Sequence, residues 1–149
     1  MVKKVLLLVF SLLSFHLKSF SQTNPASGGA GWNPIGLTVS GHNTINGVDA
    51  SYQLNTCNGE DVVFVKLVNH NTYAVTVEWY PAVFTQDQQW IKKENLTDKI
   101  SVALAPNIEL AGDCSGTKSG MLIRLSDFSV QPLNFFRYGA TNFSVITGQ

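Results

Sequence analysis

From residue 48 to residue 55 the chain alternates: Val48, Ala50, Tyr52 and Leu54 are apolar or aromatic, while Asp49, Ser51, Gln53 and Asn55 are polar. Successive side chains of an extended strand point to opposite faces, so this pattern describes a strand with one face buried and one face wet. The same beat returns at Tyr73, Val75, Val77 and Trp79, at Ile100, Val102 and Leu104, at Met121, Ile123 and Leu125, and at Phe143 and Val145. Gly47, Asn58-Gly59 and Pro106-Asn107 punctuate the runs, and residues 115–120 contain no apolar side chain. Such residues supply turn conformations that strands do not adopt. Helical periodicity is almost absent. About seven or eight short strands with turns roughly every 8–12 residues predict an all-β fold, an antiparallel immunoglobulin-like sandwich.

Within that outline the sequence gives local expectations. Residues 62–68 and 72–79 read as two strands of a hairpin with a three-residue loop, 69–71. That register pairs Val65 with Val75 and Val63 with Val77 and gathers the apolar side chains on one face, whereas a one-residue slip would mix the faces. Pro81 has no N–H for a ladder and should end the second strand or mark its edge. Thr85-x-x-Gln88 has the form of a capping box, which predicts at most two turns of helix into Trp90 and Ile91. Residues 108–111 and 142–147 are strand candidates, and 135–138 another that Gly139 would cut.

The N-terminus carries a different signature. Lys3 and Lys4 precede an apolar run from Val5 to Phe15, and Ser19-Phe20-Ser21 precedes Gln22. A basic start, a short apolar stretch and small residues two apart describe a cleavable export signal over residues 1–21. The run is short of the ~20 apolar residues that span a bilayer. Residues 22–34, rich in Gly, Ser, Asn and Pro, read as a flexible arm, which leaves one domain over 35–149. The expected location is secreted or periplasmic, with no membrane span. After residue 21 seven Lys and Arg stand against ten Asp and Glu. Without a basic patch, nucleic acid is an excluded partner.

Ser19-Phe20-Ser21 before Gln22 resembles export signals common in Bacteroidota, and the remaining chain is similar in style to small exported β-sandwich proteins of such bacteria. The resemblance implies export and a sandwich; no functional residue follows from it.

Cys57 and Cys114 are the two cysteines, and an exported chain passes into an oxidising space, so they are expected to form a disulfide. The alternatives for chemistry are thin. Gly112-Asp113-Cys114-Ser115-Gly116 resembles the surroundings of the nucleophile in chymotrypsin-like proteases, with His42 or His70 and Asp61 or Asp87 as nominal partners. The chain is too short for that double barrel, and Ser115 stands where the motif has glycine. Asp113, Ser115 and Thr117 alternate oxygen-bearing side chains in the manner of a calcium loop but lack its closing acidic residue. Glu60, Asp61, Glu78, Asp87 and Glu94 offer carboxylates that sequence cannot bring to the ~5–9.5 Å of a glycosidase pair. No catalytic residue, metal ligand or cofactor is therefore expected.

Aromatic residues remain. Trp79 continues the apolar face of its strand and belongs in the core, while Tyr80 has the opposite parity. Trp90 lies in a polar stretch where no core periodicity demands it. Exposed Trp and Tyr among amide side chains suit a sugar or a protein contact. Tyr80 and Trp90 are thus the expected ligand-binding residues. The expected function is a non-enzymatic extracytoplasmic binding module acting through loops at one end of the sandwich, its partner an unidentified protein or glycan. A carbohydrate-binding domain is the second reading and a small exported enzyme the third.

Overall fold

The computed structural model describes residues 31–37 and 41–148. The expected export signal and residues 22–30 of the expected arm lie outside them. The described residues form ten strands: β1 Asn33–Pro34, β2 Thr44–Ile45, β3 Val48–Cys57, β4 Glu60–Asn69, β5 Val75–Thr85, β6 Trp90–Lys92, β7 Ile100–Leu104, β8 Glu109–Ala111, β9 Leu122–Arg124 and β10 Phe135–Thr147. All pair antiparallel, in two sheets. In sheet A, β3 and β4 lie at the centre; β1 and β2 share the outer edge of β3, and β8 and β9 share that of β4. In sheet B, β5 is central, with β10 on one side and β6 and β7 sharing the other. The ten segments thus occupy seven positions, four against three. The expected all-β sandwich is present, immunoglobulin-like in layers and strand count, with its own order of connection. Strand pairing also begins inside the expected arm, where Asn33 and Pro34 pair with Tyr52 and Ser51.

The period-two residues meet between the sheets. Val48, Ala50 and Tyr52 of β3 and Val63, Val65 and Leu67 of β4 face Val75, Val77, Trp79 and Val83 of β5, with Val102, Leu104, Phe135 and Tyr138 completing the core. Tyr52 reaches across to Phe135 and Tyr138, with ring centroids 6.2 and 6.1 Å apart. Trp79 is buried as its parity requires, and its Nε1–H donates to Tyr138 Oη at 3.0 Å. Burial in this apolar setting raises the pKa of Tyr138, so the phenol stays neutral.

The expected hairpin is not formed. β4 pairs with β3, β8 and β9, and β5 with β10, β6 and β7, so Val63 and Val65 face Val75 and Val77 across the core instead of pairing with them. The reason is visible in β4: Val62, Val63, Phe64 and Val65 are all buried, which is the mark of a central strand covered on both faces. Neither edge of β4 is free for β5. Asn69 secures the crossing between sheets. Its buried amide donates to Tyr73 O and Ala105 O at 3.0 and 2.9 Å, and its Oδ1 accepts from Asn71 N at 3.0 Å.

Two breaks expected in sheet B are likewise absent. Pro81 lies inside β5, opposite Ala140, where the neighbour on the other edge changes from β7 at Trp79 to β6 at Ala82. No ladder donor is demanded at that gap, so proline is accommodated. Thr85 starts a tight turn, not a helix. Its N–H donates to Gln89 O at 2.9 Å, Gln88 N–H donates back to Thr85 O at 3.0 Å, and Gln88 takes φ 60°. Strand pairing on both sides of the turn outweighs the capping pattern, because no apolar helical stripe exists to bury. β10 also runs uninterrupted through Gly139, with irregularities after Phe135 and Thr141.

Cys57 and Cys114 form the expected disulfide, with Cα atoms 5.4 Å apart and a sequence separation of 57. It ties the end of β3 to the loop between β8 and β9. That loop leaves the sheet at Gly112 and returns at Met121, both of which bond to Val65. A side chain at Gly112 would strike the Met121 carbonyl, so the loop closes only over glycine.

Candidate functional site

Parity decides which side chains leave the core of sheet B. With Val83 inward, Ala82 and Phe84 face outward on β5. Their neighbours in register are Lys92 and Trp90 on β6 and Gly139 and Arg137 on β10. Trp90, Phe84 and Arg137 therefore form one row across three strands. Phe84 and Trp90 have centroids 5.0 Å apart at 49°, and Phe136 meets Phe84 edge-on at 5.8 Å. The Arg137 guanidinium lies 4.9 Å from the Phe84 ring centre and 5.2 Å from that of Trp90. Stacking of this kind attracts the cation to the electron-rich ring faces.

The indole crosses the sheet with its ring edge. It reaches from β6 to Gly139 on β10, where an added Cβ would come within 2.6 Å of Trp90 Cζ3. Gly139 is needed there for space. Ala82 and Gly139 are buried despite their outward parity, so small residues form a floor beneath the ring. Trp90 nonetheless keeps 42% of its surface exposed. Beside it Phe84, Thr85, Gln86, Gln88, Phe136 and Arg137 line a groove of about 290 Å³. The Thr85–Gln89 turn and the backbone bond from Gln86 N–H to Asn134 O, 2.8 Å, set its rim.

Of the two expected ligand-binding residues, the groove includes the surroundings of Trp90 but not Tyr80. Tyr80 is half-buried and shares the outer face, but stands two residues from Ala82 toward Glu78 and is electrostatically coupled to Lys99. Phe84, Phe136, Arg137 and Gly139 are the members that sequence reasoning did not assign. The even parity of Tyr80, Ala82 and Phe84 was the available signal; pairing with β10 was not.

The other candidates are engaged elsewhere. Cys114 is bonded to Cys57 and is no nucleophile. Asp113 accepts from the Ser115 hydroxyl and, at 2.9 Å, from the Ser115 amide, while Lys118 Nζ stands 2.9 Å from its other oxygen. The Ser115 hydroxyl, then the lysine, then the amide hold the Asp113 pKa down at about 2. Glu60 accepts from Arg124 at 3.0 Å and Ser126 at 2.7 Å, and Glu78 pairs with Lys99. His70 Nε2 lies 2.8 Å from Asp49 Oδ2. Among the described residues no group of three or more His, Cys, Asp or Glu could hold a metal, and no helix is long and apolar enough to cross a membrane.

Among the described residues two cations, Lys93 and Arg137, have no carboxylate within 4 Å. Lys66, Lys92, Lys99, Lys118 and Arg124 each have a carboxylate within 4 Å. Lys93 lies over the single Phe128 ring at 5.5 Å, whereas the Arg137 guanidinium stacks on two rings, Phe84 and Trp90. Comparison of the chain with protein-family models, with curated proteins and with solved structures returns no match.

Proposed function

We propose that this domain is a non-enzymatic, extracytoplasmic binding module whose contact surface is the outer face of sheet B around Trp90. The observation that carries the reading is a large indole whose ring edge reaches Gly139, 42% exposed, beside a groove walled by two further aromatic rings. A flat exposed ring on a rigid sheet offers contact area at small entropic cost, because two strands and a floor of small residues already fix it. This moves the expected contact from the loop ends to a sheet face. A disulfide is compatible with an oxidising location outside the cytoplasm.

The test is a ligand screen by NMR on the exported protein, using neutral and acidic oligosaccharides and short peptides. Shifts confined to Trp90, Phe84, Phe136 and Arg137, without turnover of the ligand, are the expected result. Shifts centred on the groove lined by Pro81, Ile100, Ile123 and Phe128, or chemical conversion of a ligand, would overturn the reading.

A further inference from the structure

We infer that the Trp90 groove takes a saccharide carrying a carboxylate, with the sugar ring on the indole and the acid on Arg137. The inference rests on the proposed contact surface and adds the chemistry of what it holds.

Three observations converge on that class. Trp90 offers an open ring face, and the apolar C–H face of a pyranose matches such a ring in shape and polarity. The groove rim carries Gln86 and Gln88, amides able to donate to and accept from hydroxyl groups, and its volume of about 290 Å³ lies at the small end of ligand clefts. Arg137 is the decisive member. Its planar guanidinium is held at 4.9 and 5.2 Å from two rings, yet among the described residues no carboxylate takes its N–H donors. Such a group presents the fork that receives a carboxylate through two parallel hydrogen bonds.

Competing ligand classes fit less well. A cationic guest would lie beside the Arg137 guanidinium, 4.9 and 5.2 Å from two ring centres, and be repelled by it. Phosphate recognition draws on clusters of cations, whereas the neighbouring Lys92 is paired with Glu94 at 3.7 Å. A single guanidinium suits a singly charged acid. A protein interface commonly buries more than about 1,000 Å² in total, and this groove is the size of one small residue or sugar unit.

The experiment uses the exported protein with four trisaccharides: a galacturonate, a glucuronate, the galacturonate as its methyl ester, and a neutral galactose trimer. Affinity is read by titration calorimetry, and Trp90 engagement by tryptophan fluorescence. At least one free acid is expected to bind about tenfold or more tighter than the ester, the range of one charge-assisted hydrogen bond. Arg137→Gln should remove that preference by bringing the acid's affinity to that of the ester, Arg137→Lys should restore part of it, and Trp90→Ala should abolish binding of all four. Raising the salt concentration should narrow the gap between acid and ester. Equal affinity for acid and ester, a preference untouched by Arg137→Gln, or no binding of either acid would overturn the inference. A sulfated trimer bound more tightly than both acids would also overturn it. A neutral sugar or peptide seated on Trp90 would leave the contact surface standing and remove only its acidic ligand; an acid bound elsewhere would remove the surface.

Discussion

The two outer faces of the sandwich use the same parts to opposite ends. On sheet A, Trp32 packs with Val62, Phe64, Leu122 and Cys57, and Val62 and Phe64 are buried beneath this cover. Lys66 stacks over the Trp32 ring at 4.9 Å, and Glu109 balances its charge at 3.7 Å. On sheet B, Trp90 packs on Gly139 and Phe84, remains 42% exposed, and has Arg137 stacked on it with no acidic partner among the described residues. Each face therefore carries a tryptophan, a phenylalanine and a stacked cation. One set is closed by the disulfide loop and a compensating carboxylate; the other is left open in both respects. A tryptophan whose neighbours are buried and neutralised is structural, while one whose neighbours are exposed and unbalanced has capacity to bind.

The strongest way to break this contrast is to open sheet A. Replacing Cys57 and Cys114 together by Ser removes a cross-link over 57 residues, which in the chain-entropy account contributes about 4 kcal/mol. A large drop in the midpoint of thermal unfolding is expected, with the NMR shifts of Trp90 and Arg137 unchanged in the folded protein. Altered shifts on sheet B would mean that the disulfide supports both faces and that the contrast is false.

Single tryptophan replacements come next. Trp32→Ala uncovers Val62 and Phe64 and should cost about 2–3 kcal/mol in denaturant unfolding, below the ~3–5 kcal/mol of a fully packed aromatic because Trp32 is half-buried. Trp90→Ala uncovers Gly139 and one side of the half-buried Phe84 and should cost about 1 kcal/mol, since much of the indole surface is already in water. Equal costs, or a larger cost at Trp90, would return Trp90 to a structural role. A smaller change is Gly139→Ala, whose Cβ enters the space of the indole. It should tip the ring away from the sheet, shift tryptophan emission to the red, weaken ligand contact several-fold and change stability by about 1 kcal/mol or less. Unchanged emission would mean that the ring does not rest on Gly139.

The difference between what is local and what is long-range explains which of these features the sequence disclosed. Alternation at Val48–Leu54 or Ile100–Leu104 states that a strand has an inner face, and both strands are present. The cysteine pair is legible because only one intramolecular pairing exists. Alternation does not state which strand lies beside which. Val63 and Val75 have the same pattern whether they pair within a sheet or oppose one another across a core, so the hairpin expectation failed where the chain crosses at Asn69. Trp90 was legible as an aromatic without a core reason. Arg137 was not, because its place beside Phe84 depends on pairing between strands more than fifty residues apart, which no local periodicity records.

The last prediction separates the faces by acid. Asp113 in the disulfide loop has a pKa lowered to about 2 by the Ser115 hydroxyl, Lys118 and the Ser115 amide. Its folded value lies below the usual ~3.9 of an unfolded chain, so its stabilising effect is complete above that value and is lost as pH falls through the interval down to about 2. The carboxyl signal of Asp113 should therefore titrate with a midpoint near 2, and the amides of Ser115 and Lys118 should move with it. Asp113→Asn should remove the transition. Trp90 and Arg137, which among the described residues contact no carboxylate, should keep their shifts over the same interval. An ordinary midpoint near 3.9 would show that the loop contacts are not maintained in solution. Movement of Trp90 in step with Asp113 would show that the two faces respond as one, and the open face could then no longer be treated as independent of the closed one.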